Sequence, residues 1–191
     1  MKISSARRHT HTGYSLNELL IVLSLTSISL LIGLSGFNIL ASEARVMSQI
    51  NELKRFIRIA REAAVNERAT TTLCPSEDGL SCGSDWNSGY LLFIDSNRDR
   101  VINDNDRILA QHQAIPENDK LIWRVFRNKK YLQMSPLGTT RFLNGTFTYC
   151  AHEGLRFSRG LIINPQGRVR MTADNDGDQI HEGADNRPLR C

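Results

Sequence analysis

The sequence lacks the short motifs of the common catalytic centres. It has no HExxH, no GxSxG and no phosphate-cradling glycine loop, and after residue 13 its histidines are only the scattered His112, His152 and His181. These absences argue against enzymatic chemistry, and no cofactor is expected. The four cysteines form no CxxC pair and no histidine sits at a ligand offset, which argues against zinc. Charge is absent from residues 19–42, a run of 24 positions. At about 1.5 Å per residue a helix of that length spans roughly 36 Å, enough for a bilayer core. A global basic excess is missing too. The net charge is +4, but Lys2, Arg7 and Arg8 precede residue 13, and 21 basic side chains then face 20 acidic ones. Overall charge therefore carries no nucleic-acid signature.

What is present near the N-terminus is a short basic leader ending in Gly13, then Tyr14-Ser15-Leu16-Asn17-Glu18-Leu19-Leu20-Ile21-Val22-Leu23. A carboxylate at the edge of an apolar segment is costly in lipid and points to a specific partner. A secretory signal would be cut after its apolar core, whereas the Gly13 boundary lies before it. Gly13 followed by an aromatic residue, Glu18 five positions on, and Leu-Leu-Ile-Val resembles the type III signal of the type IV pilin superfamily. The resemblance implies cleavage after Gly13 by a prepilin peptidase and methylation of the new N-terminus at Tyr14. It also implies pairing of Glu18 with the terminal amine of a neighbouring subunit, two charges that relieve each other's desolvation. Tyrosine instead of the commoner phenylalanine after the glycine is a mild departure. His9 and His11 would leave with the leader. The leader cations favour a cytoplasmic N-terminus, with everything after residue 42 on the far side.

The expected organisation is a leader at 1–13, a transmembrane and assembly helix at 14–42, and a globular domain at 43–191. Gly33 and Gly36 weaken the helix locally, as a spot that melts on assembly or as a close packing surface. Past Glu43, Val46, Ile50, Leu53, Ile57, Ala60 and Ala64 recur at steps of three and four, an amphipathic stripe over 43–68. Lys54, Arg58, Arg61 and Glu62 occupy its solvated side. After residue 69 the chain reads as β, with strands expected near 69–74, within 86–95, near 107–113, 121–126, 146–149, 160–163 and after Gly167. The helix end at 61–68, with Cys74, Cys82, Trp86, Gly89, Phe93 and Asp95, is similar to the globular domain of GspH/FimT-type minor pilins and pseudopilins. The fold class is α+β, a long N-terminal helix packed on an antiparallel sheet.

Cys74, Cys82, Cys150 and Cys191 in an oxidising compartment suggest two disulfides with three possible pairings. We favour Cys74–Cys82, closing a short turn, and Cys150–Cys191, pinning the tail.

Charge is segregated within the globular part: residues 71–119 carry a net −6, 120–170 a net +9 and 171–191 a net −3. Gly167-Arg168-Val169-Arg170 resembles the C-terminal region of FimT-type minor pilins, which is implicated in binding extracellular DNA for natural transformation. Alternation puts Arg168 and Arg170 on one face of an extended segment, about 7 Å apart, a spacing that suits successive phosphates. The alternative is an exposed edge strand guarded by charge. Arg156, Arg159, Lys129 and Lys130 are candidate extensions of the patch. Two acidic runs are weak calcium candidates: 95–106, EF-hand-like but with Arg100 in place of glycine, and Asp174, Asp176 and Asp178. Such runs also form ordinary turns. The reading is a minor pilin held in the inner membrane before assembly, then displayed in the periplasm and on the pilus. Its partners would be other pilins, prepilin peptidase and double-stranded DNA. The alternative is a structural initiation subunit, of a pilus or of a type II secretion pseudopilus.

Overall fold

The computed structural model describes residues 13–191, and the side chains of all of these except 31–36. The leader features expected before Gly13 lie outside the described residues. The chain divides into two compact units that meet between Ala41 and Ser42. Helix α1 is Leu16–Asn66. Ser15 starts it, its hydroxyl accepting from the Glu18 N–H at 3.4 Å. At the other end Arg68 turns into the left-handed region at φ 53°, which ends the helix.

The first unit contains the start of α1. Leu19, Leu20, Ile21, Val22, Leu23, Leu25 and Ile28 each remain more than half exposed. Between them Ser24, Thr26, Ser27 and Ser29 donate to carbonyls three or four residues back, so their hydroxyls are satisfied within the helix. Among the described residues no helix is long and apolar enough to cross a membrane.

The second unit holds the rest of α1 and eight strands: β1 Thr71–Pro75, β2 Tyr90–Ile94, β3 Arg107–His112, β4 Lys120–Val125, β5 Leu132–Met134, β6 Gly145–Cys150, β7 Arg159–Ile163 and β8 Val169–Met171. They form two antiparallel four-stranded sheets, ordered β3-β2-β1-β5 and β4-β6-β7-β8. The class is α+β as expected, with the strands divided between two sheets. The helical stripe from Val46 to Ala64 is buried, and Phe56, between its positions, is buried with it. This stripe shares one core with Leu73, Tyr90, Leu92, Leu132 and Met134 of the first sheet and Trp123, Phe147, Leu161 and Ile163 of the second. Ring contacts lock the centre: Phe56 meets Tyr90 edge-on at 4.9 Å, and Phe147 stacks on Trp123 at 4.1 Å.

On its other face the first sheet carries a smaller cluster of Cys74, Leu91 and Phe93, packed by Ile102, Ile108 and Tyr131. Covering on both sides explains why β2 reads as an unbroken apolar run rather than an alternating one. Cys74 is bonded to Cys82 and Cys150 to Cys191, with Cα separations of 5.6 and 5.7 Å, the pairing favoured from the sequence.

Candidate functional site

Strand β8 is one edge of the second sheet, paired only to β7, with Ile162 opposite Arg170 and Ile163 opposite Val169. Val169 and Met171 turn towards the core, so Arg168 and Arg170 turn outward, both exposed. Neither has an ion-pair partner among the described residues. The hairpin that delivers β8 is held by Asn164, whose side-chain oxygen accepts from the Arg168 N–H at 2.9 Å. Gly167 sits in the turn at φ 71°, and a Cβ there would lie 2.3 Å from the Gly138 carbonyl oxygen. Gly167, expected with Arg168 and Arg170 as part of the DNA-binding motif, is buried, and its place there is conformational.

A groove of about 560 Å³ runs beside this turn, lined by Gly167, Arg168 and Val169 on one side and by Asn51, Lys54, Arg55, Ile57, Arg58 and Arg61 of α1 on the other. No carboxylate lines it. Arg61 crosses to donate to the Gly138 carbonyl at 3.1 Å, tying the helix to the turn under Gly167. Arg55 is paired with Glu52 at 2.5 Å and Arg58 loosely with Glu62 at 3.8 Å. The sequence reading treated these helix cations as a solvated face. Their spacing at 54, 58 and 61 was the available signal, since it sets them along one side of the helix.

The other proposed extensions go elsewhere. Arg159 is half-buried and donates to the backbone carbonyls of Arg156 and Ser158, and burial lowers its pKa against the pull of Glu43. Arg156 lies over the Phe157 ring at 5.6 Å. Lys130 lines a separate hollow with the Cys74–Cys82 bridge, Asp99 and Arg100, and Lys129 is its exposed neighbour. These four are therefore not gathered with Arg168. Arg124, outside the expected patch, shares a face with Arg170. The pairing Arg124–Thr146–Ile162–Arg170 runs straight across the second sheet, placing both arginines on its outer face about 14 Å apart.

A buried polar network joins the base of the domain helix to the second sheet. Asp119 accepts from the Tyr149 hydroxyl at 2.5 Å, from the His152 backbone N–H at 2.9 Å and from the Arg45 guanidinium. The Nδ1 atom of His152 lies 2.9 Å from the same carboxylate. Arg45 also grips Glu153 with two bonds of 2.6 and 2.7 Å, and Ser42 donates to Glu153 at 2.6 Å. Burial alone would raise the Asp119 carboxyl, but the hydrogen bonds from Tyr149 and His152 and the charge of Arg45 hold it below the usual range. Burial likewise opposes ionisation of Glu153, and Ser42 and Arg45 outweigh it, bringing that carboxyl down to about 2. With Arg45 seated among these acids, the cluster is a structural clasp.

The two acidic loops differ. The 95–106 loop is not gathered: Asp95 is buried and accepts from Thr72 and Gln133 at 2.6 and 3.1 Å, while Asp99 and Asp106 cap local backbone. In the second loop Asp174, Asp176 and Asp178 converge with Glu182. Gly13, Tyr14 and Glu18 stand exposed at the start of the first unit, with Tyr14 83% exposed.

With this geometry in hand, comparison with known proteins gives a consistent result. The family model described as type II transport protein GspH matches residues 49–167. Two crystal forms of the type IV minor pilin FimU of Pseudomonas aeruginosa share the fold. One has a TM-score of 0.51 at 20% identity, covering 67% of this chain and 88% of FimU. The other has a TM-score of 0.50 at 20% identity, covering 66% and 92%. No curated protein matches the sequence.

Proposed function

Because this chain belongs to the family of the type II transport protein GspH, and so to the minor pilins and pseudopilins, we propose that it is a type IV minor pilin that binds DNA for uptake. In this reading a prepilin peptidase cuts after Gly13, Tyr14 becomes the methylated N-terminus, and Glu18 neutralises the terminal amine of a neighbouring subunit. The exposed apolar side chains within Leu19–Leu30 and at Phe37, Ile39 and Leu40 support burial of this segment against other subunits. Before assembly the subunit is held at the inner membrane with its N-terminus in the cytoplasm, as the leader cations favour.

The observation that carries the DNA reading is the groove in which unpaired Arg168 faces Lys54, Arg58 and Arg61 with no lining carboxylate. Arg168 and Arg170 would contact phosphates, a mode that holds DNA without regard to sequence. Gel-shift titration of the full chain in non-ionic detergent with random double-stranded DNA tests it. At two phosphate contacts the Arg168→Gln, Arg170→Gln variant loses about 1.8 from the slope of log affinity against log salt, equivalent to a salt effect of about twelvefold between roughly 50 and 200 mM. Absence of binding by folded, oxidised wild type would overturn the DNA role and leave a structural initiation subunit of a pilus or of a type II secretion pseudopilus.

A further inference from the structure

We infer that the loop from Asp174 to Glu182 is a calcium site, independent of the basic groove. Asp174, Asp176, Asp178 and Glu182 each offer a carboxylate oxygen, and these atoms all lie within 4.8 Å of one another. Oxygens facing each other across a calcium ion stand about 4.6–5.2 Å apart, twice a bond of roughly 2.3–2.6 Å. The donor set is wholly oxygen, which suits a hard cation and not zinc or copper. Asp176 and Asp178 come from the exposed side of the loop. Glu182 comes from its far arm, fixed by bridges to Ala173 and Pro188.

Glu182 separates this loop from an ordinary acidic turn. It is only 4% exposed. One carboxylate oxygen accepts from both the backbone and the side chain of Asn175 at 2.7 Å. The other, Oε1, is buried with no hydrogen-bond partner. An ionised oxygen left so is costly, and a cation among the four carboxylates would satisfy it. Four negative charges converge here with no lysine or arginine paired to any of them among the described residues. The other convergent acids, Asp119 and Glu153, already hold Arg45. The loop lies between Met171 of β8 and the Cys150–Cys191 bridge, so an ion in it would order the tail from Ala173 to Leu189.

The test is calorimetric titration of calcium chloride into the full, oxidised chain in detergent after chelator treatment, with magnesium chloride alongside and thermal melts in both ions. The expected result is one saturable calcium site of about 10⁻⁴–10⁻³ M, with a raised melting temperature in calcium and little response to magnesium. Glu182→Gln and the exposed-position variant Asp176→Asn, Asp178→Asn each weaken it about tenfold or more. If Glu182→Gln fails to fold, the Asp176, Asp178 variant still decides. Absence of saturable heat, equal response to magnesium, or unchanged calcium affinity in the Asp176, Asp178 variant would each overturn the assignment.

Discussion

Replacing Asp119 with alanine removes the acceptor shared by Tyr149, His152 and Arg45. Arg45 keeps its two bonds to Glu153, so the guanidinium is not stranded. The Tyr149 hydroxyl is buried and has no other acceptor among the described residues, and the His152 N–H loses its partner. A buried donor left unsatisfied, as the Tyr149 hydroxyl would be, costs about 1–3 kcal/mol, and losing the His152 N–H bond to a charged acceptor about 1.5–3 kcal/mol. We expect Asp119→Ala to cost about 3–5 kcal/mol. Tyr149→Phe alone removes one bond to a charged acceptor, about 1.5–3 kcal/mol. In the Asp119→Ala background that second change costs almost nothing, because the hydroxyl it deletes is already unpaired. The coupling across the cycle is therefore about 1.5–3 kcal/mol. Residues 42–191 contain every buried side chain among the described residues, so urea titration of that oxidised fragment, followed by fluorescence of buried Trp86 and Trp123, is a suitable assay. With a slope of about 2 kcal/mol per molar urea, the Asp119→Ala midpoint falls by roughly 1.5–2.5 M. A loss below about 1 kcal/mol, or additive single changes, would refute the clasp.

Three further outcomes follow from the same structure. Opening Cys150–Cys191, which closes 41 residues, destabilises the chain by about 4 kcal/mol on loop entropy, against about 2.5 for Cys74–Cys82, which closes 8; denaturation of the paired serine variants ranks them. Gly167→Ala puts an L-residue at φ 71° and a methyl against the Gly138 carbonyl, so it costs about 2 kcal/mol or more and weakens DNA binding with both arginines intact, read by melting and gel shift together. Asp119 and Glu153 are held below their ordinary values, so their stabilisation is complete above about pH 4.5 and is lost as pH falls towards 2. Melting temperature measured from pH 7 to pH 2.5 should therefore fall steeply only below about 4.5, and Glu153→Gln should flatten that fall.

Local pattern made much of this molecule legible. The three-and-four spacing from Val46 to Ala64 marks the buried helix face because helical periodicity is a property of neighbouring residues. The apolar run within 86–95 marked a strand for the same reason. Strand β5 had no such signal. Leu132-Gln133-Met134 is short and lacks β-branching, and it becomes a strand because Gln133 can reach Thr72 and Asp95 from across β1. The groove was hidden likewise, since α1 and the 164–168 turn are about a hundred residues apart. Charge counts singled out residues 120–170 as basic, yet of the cations in that segment only Arg168 lines the groove among the described residues, beside cations from the helix.

By itself, then, the sequence determined the helix and most of the strands, and which of their faces are apolar. These depend on neighbours a few residues apart. Tertiary structure alone decided the split into two sheets, the seating of Arg45 on Asp119 across 74 residues, and the burial of Glu182 beside three aspartates. Those outcomes are set by which surfaces exclude water together, and that depends on the packing of the whole domain.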